Sequence, residues 1–110
     1  MQTFITINCK WGTPSLRQTI KKDKEGLKAN LLLITPKRRL KKHDLLKVVD
    51  KGVHGTIQLR WDDEKDALKA TVTTDNDYSP AIIIGRFVKY LLEFHTDTIT
   101  SIFIEQKPIK

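Results

Sequence analysis

Apolar and polar positions alternate at the start of the chain. Ile5, Ile7, Cys9 and Trp11 interleave with Thr6, Asn8 and Lys10, the period-two pattern of a half-buried strand. The same period returns in Ile57, Leu59 and Trp61 and in Leu68, Ala70 and Val72. These two runs are separated by Asp62-Asp63-Glu64-Lys65-Asp66, so a β-hairpin with a charged turn is expected. Leu27 to Ile34 contains the continuous run Leu31-Leu32-Leu33-Ile34, expected as a strand buried on both faces. Thr98 to Glu105 supplies a further strand.

Helical punctuation occurs three times, at Thr13-Pro14, Thr35-Pro36 and Ser79-Pro80. A hydroxyl side chain can accept from an orphan N–H of the first turn. The following proline loses nothing there, because its missing N–H would be unpaired anyway. Two of the segments run on to Gly26 and Gly52, suited to the left-handed residue that ends a helix. After Ser79-Pro80, Ile83, Ile84, Phe87, Val88, Leu91 and Leu92 form one broad apolar face. Arg86, Lys89 and Glu93 form a polar stripe. The expected order is therefore β-α-β-α-β-β-α-β. It describes a single α+β domain over residues 1–110, with helices packed on a mixed sheet in which the β-α-β alternation contributes parallel pairing.

Charge adds an asymmetry that the pattern does not show. The 110 residues carry a net +7. Residues 1–54 hold ten Lys and three Arg against three Asp and one Glu, a net +9, whereas residues 55–110 carry −2. A one-sided basic surface points to a polyanionic partner, nucleic acid first, an anionic membrane or an acidic protein second. The densest part is Lys37-Arg38-Arg39-Leu40-Lys41-Lys42, placed at one end of the helix expected behind Pro36. Phosphate contacts are assigned to Lys37, Arg38, Arg39, Lys41 and Lys42, helped by Arg17, Lys21 and Lys22, with Trp11 as the stacking candidate. A solvated basic turn has the same composition. The hairpin offers a second surface, since its non-core face would carry Thr56, Gln58, Arg60, Lys69, Thr71 and Thr73. That face lacks the stacking aromatics of single-strand RNA modules.

Chemistry is sparse. One cysteine, Cys9, permits no internal disulfide and no multi-thiolate metal cluster, and a disulfide-free chain fits the cytoplasm. No segment reaches the ~20 apolar residues of a membrane helix, so no membrane partner is expected. The glycines are isolated from any phosphate-binding loop, and His43, His54 and His95 have no zinc spacing. Neither a cofactor, a metal nor a catalytic residue is assigned. Glu105-Gln106-Lys107 matches the (Asp/Glu)-x-Lys signature of metal-dependent nucleases, with Asp97, Asp75 or Asp77 as the second carboxylate such a site needs. Three readings follow in order: a non-enzymatic nucleic-acid-binding protein; a protein-interaction module that docks on an acidic partner or pairs by a sheet edge, including with itself; and a metal-dependent nuclease.

Overall fold

The computed structural model describes residues 2–34, 46–50, 55–74 and 79–107. The alternation at the start becomes strand β1, Gln2–Cys9, with Thr3, Ile5, Ile7 and Cys9 buried. Two short helices follow, α1 at Leu16–Lys22 and α2 at Lys24–Ala29. Then come β2 at Leu32–Ile34, β3 at Leu46–Asp50, β4 at Gly55–Asp62 and β5 at Ala67–Thr74. Helix α3 spans Ala81–Phe94, and β6 spans Ile99–Lys107.

The six strands of the described residues form one sheet in the order β2-β3-β4-β5-β1-β6, and every neighbouring pair is antiparallel. The α+β class stands, but the sheet is not mixed. The helical crossovers do return the chain in the same direction, from β1 to β2 and from β5 to β6. Intervening antiparallel strands occupy the neighbouring places, so no parallel pair forms. Strand β1 lies between β5 and β6.

The helix expected from Pro36 to Gly52 is also corrected, because Leu46–Asp50 is a strand. A short apolar run such as Leu45-Leu46-Lys47-Val48-Val49 satisfies a period of two as well as 3.6. Pairing on both sides, with Leu32–Ile34 and with Leu59 to Thr56, decides for the β-branched extended form. Residues 35–45, which include the Thr35-Pro36 signal, lie outside the described residues.

Capping is shifted from its expected places. Ser15, not Thr13, caps α1, its hydroxyl accepting from the Gln18 N–H at 3.3 Å. Asp23 ends α1 and caps α2, accepting from the Gly26 N–H at 3.1 Å. Gly26 therefore sits inside a helix rather than after one. Its missing side chain matters, because a Cβ there would stand 2.5 Å from the Asp23 carboxylate. Residues 27–29, read as strand, are helical, and only Leu32–Ile34 of that run is extended. The Ser79 hydroxyl accepts from the Ala81 N–H at 3.1 Å, with α3 starting one residue after Pro80.

The three helices share a single core with the sheet. Leu16, Ile20, Leu27, Ile83, Phe87, Tyr90 and Leu91 pack with Ile5, Ile7, Leu32, Val48, Ile57, Leu59, Leu68 and Val72. A polar network ties the helices together. The Tyr90 hydroxyl donates to Asp23 at 2.8 Å, and His95 Nε2 lies 2.7 Å from the Tyr90 oxygen. Tyrosine has one proton and gives it to Asp23, so His95 donates from Nε2. Burial, then the hydrogen bond from Tyr90 to Asp23, pushes the Tyr90 hydroxyl far above its ordinary range. Burial pulls His95 below its ordinary value, and the nearby Asp23 only partly opposes this. Asn30 donates to Glu93 at 3.1 Å and accepts from Lys89 at 3.1 Å, joining α2 to α3 a second time. Among the described residues no helix is long and apolar enough to cross a membrane.

Candidate nucleic-acid interface

With the helices on one face, the opposite face of the sheet is left without a covering layer among the described residues. Register states what stands there. Arg60 on β4 is directly opposite Lys69 on β5, Lys69 is opposite Thr6 on β1, and Thr6 is opposite Phe103 on β6. The next row runs Gln58, Thr71, Phe4, Glu105, and a third runs Thr56, Thr73, Gln2. Directly opposed residues share a face, and neighbouring strands lie about 4.8 Å apart, so the first row spans about 14 Å.

Two features of this face are chemically unusual. Arg60 and Lys69 are both exposed, and among the described residues neither has an ion pair or hydrogen bond. Like charges directly opposite one another destabilise a sheet, so the pair is held at a cost that an anion would remove. Secondly, the face carries aromatic rings after all. Phe103 is 62 % exposed, and Phe4 stands in the adjacent row. The hairpin's polar residues were legible in sequence. The rings were not, because they arrive on β1 and β6, and nothing in the chain announces that β1 lies beside β5 and β6 beside β1.

The other expected contacts distribute differently. Lys37, Arg38, Arg39, Lys41 and Lys42 lie outside the described residues. Arg17 is corrected as a surface contact. It faces inward with Leu16 and Ile20, is 6 % exposed, and its Nε is enclosed with no hydrogen-bond partner among the described residues. Residues 16, 17 and 20 fall on one arc at about 100° per residue, which turns Arg17 with its apolar neighbours. Lys21 is half-buried and Lys22 exposed, both in the last turn of α1, where cations favour the helix dipole.

Trp11 is 94 % exposed, on a turn that is firmly held. The Lys10 N–H donates to Thr98 O at 2.9 Å, the Thr13 N–H to Lys10 O at 3.1 Å, and the Gly12 N–H to the Asp66 carboxylate at 3.1 Å. Gly12 has φ +78°, which its lack of a Cβ allows. The ring is thus available for stacking, but its neighbour is the acidic hairpin turn. In that turn Asp62 caps the Glu64 and Lys65 N–H groups, and Asp63 and Glu64 are exposed. Those carboxylates disfavour phosphate beside Trp11.

Catalytic candidates are not gathered. Cys9 is buried, and burial, then the Asp66 charge, pushes its thiol above the ordinary value, opposite to the activation of a nucleophile. Glu105 is six residues along β6 from Ile99, about 20 Å at strand rise, and Asp97 precedes that strand. Asp75 and Asp77 lie outside the described residues. Among the described residues no group of three or more His, Cys, Asp or Glu is placed to hold a metal ion.

Comparison of the chain with family models, with curated proteins and with solved structures returns no match.

Proposed function

We propose that this protein binds nucleic acid without catalysis, on the open face of its sheet. The observation that carries this reading is the uncompensated cation pair Arg60–Lys69 beside Thr6, Thr71 and Gln58. Cations neutralise phosphate, and hydroxyl and amide groups hydrogen-bond to it without reading sequence. The net charge of +7 gives long-range attraction to a polyanion. The exposed ring of Phe103 supports contact with unpaired bases, which stack on aromatic side chains. The basic residues Lys37, Arg38, Arg39, Lys41 and Lys42 add to the attraction in this reading. A cytoplasmic setting, with Cys9 as a buried free thiol, accompanies it.

Fluorescence anisotropy against single- and double-stranded DNA and RNA at two salt concentrations tests this. Saturable binding is expected, weakening steeply with salt. The Arg60→Ala/Lys69→Ala double variant should lower the slope of log affinity against log salt by roughly 1.4 on a single strand, about 0.7 per lost contact. The same assay on a variant with alanine at 37, 38, 39, 41 and 42 measures the share of that cluster. Absence of saturable binding at low salt defeats the reading and turns attention to an acidic protein partner.

A further inference from the structure

The two edges of the sheet are built differently. Strand β2 at one edge has three residues, too short to template another strand. Strand β6 at the other has nine, and its pairing with β1 is regular from Ser101 to Lys107, the only irregularity falling at Asn8/Cys9. Proteins blunt edge strands with short length, charge, proline or a bulge. Residues 99–104 of β6 read Ile-Thr-Ser-Ile-Phe-Ile and carry neither charge nor proline. Phe103 is 62 % exposed on the open face and Ile104 is 50 % exposed on the helix face, so the edge is apolar on both sides. Its outward backbone groups meet no strand among the described residues.

From this edge we infer that two copies of the chain pair antiparallel through β6, with the two-fold axis at Phe103. The pattern of the strand selects a second copy as the occupant and fixes the register. Centred on Phe103, the ring meets its own counterpart on the open face. On the helix face Ile102 meets the partner's Ile104, and Ile104 meets the partner's Ile102. Thr100 meets the partner's Gln106, and Ser101 meets the partner's Glu105. Three central apolar pairs are thus flanked on both sides by polar ones, and no like charges are directly opposed. Moving the centre one residue back sets Phe103 against Ser101 and Ile104 against Thr100. Moving it one residue forward sets Phe103 against Glu105 and Ile102 against Gln106. Only the Phe103 centre matches polarity on both faces. The strand holds one acid and one base, Glu105 and Lys107, so local charge does not oppose the approach despite the net +7 of each copy. An antiparallel pair about an axis normal to the sheet keeps both open faces on the same side. The result is a continuous twelve-stranded sheet.

Sedimentation equilibrium of the wild-type chain is expected to give twice the 12.7 kDa of one copy. The Phe103→Lys/Ile104→Lys double variant should sediment at the single mass while keeping the wild-type far-UV spectrum, since both side chains are half exposed or more. Phe103→Cys places two thiols opposite each other at the axis. Under mild oxidation it should cross-link into covalent dimers, whereas Ser101→Cys should cross-link far less. Buried Cys9 does not compete. A wild-type chain that is a single copy at every concentration overturns the inference. So does a dimer unaffected by the two lysines, or one cross-linked more readily at 101 than at 103. Sedimentation and cross-linking are read without nucleic acid, so the inference stands or falls independently of the anisotropy result.

Discussion

One sheet presents two faces that differ in kind. Under the helices, β1 places Thr3, Ile5, Ile7 and Cys9 out of water, and β4 and β5 add Ile57, Leu59, Leu68, Ala70 and Val72. On the other side the same strands show Gln58, Arg60, Lys69 and Thr73 to solvent. The period-two geometry of a strand makes both faces from one stretch of chain. The difference teaches that stability and recognition are assigned to alternate residues, so neighbours in sequence should respond oppositely to substitution.

The sharpest contrast comes from the buried face. Phe87→Ala should cost about 3–5 kcal/mol, read as a large fall in the urea midpoint, while Thr71→Ala on the open face stays within about 0.5 kcal/mol. Gly55→Ala should cost about 1–3 kcal/mol. Its Cβ would meet the Thr74 methyl at 2.8 Å and the Thr73 carbonyl oxygen at 2.9 Å, and backbone cannot easily give way. Tyr90→Phe removes the donor to Asp23 and the acceptor for His95 without changing the packing of the ring. A loss of about 1–3 kcal/mol is expected in thermal or chemical unfolding.

Acid acts through His95. Its folded pKa lies below its unfolded value near 6.5, so below that pH the unfolded chain binds more protons. Stability is complete above pH 6.5 and is lost as pH falls toward the folded value. His95→Gln should flatten that dependence in urea midpoints measured between pH 7.5 and 5.5. The smallest stability effect belongs to Lys69→Ala, which relieves the opposition to Arg60 and stays within about 0.5 kcal/mol. Yet it should lower the salt slope of single-strand binding by about 0.7. A stability loss of several kcal/mol at Lys69 would collapse the distinction between the faces.

Much of this division was legible in the chain. Alternation marks β1 and the β4–β5 hairpin, and the broad apolar face of α3 is plain from Ile83 to Leu91. Local signals misled where two physical solutions share one pattern. Leu46 to Val49 fits a helix or a strand until its partners are known. Asp23, a capping residue for two helices at once, broke a segment that Thr13-Pro14 and Gly26 had seemed to bracket. The candidate interface was half visible. The hairpin displayed Arg60 and Lys69, but Phe4 and Phe103 join them only through pairings with sequence separations of about 65 to 100 residues.

Those separations bear on how the chain reaches its fold. Strand β1 is held by residues 67–74 on one side and 99–107 on the other. As the chain is made, β1 emerges nearly a hundred residues ahead of its neighbour β6. Loop-closure entropy must be met before such distant contacts are rewarded, which slows folding relative to a chain of local contacts. Until then Ile5 and Ile7 lack their permanent partners, and an incomplete chain displays an apolar strand with both edges free. Association at that stage is the hazard expected of this topology.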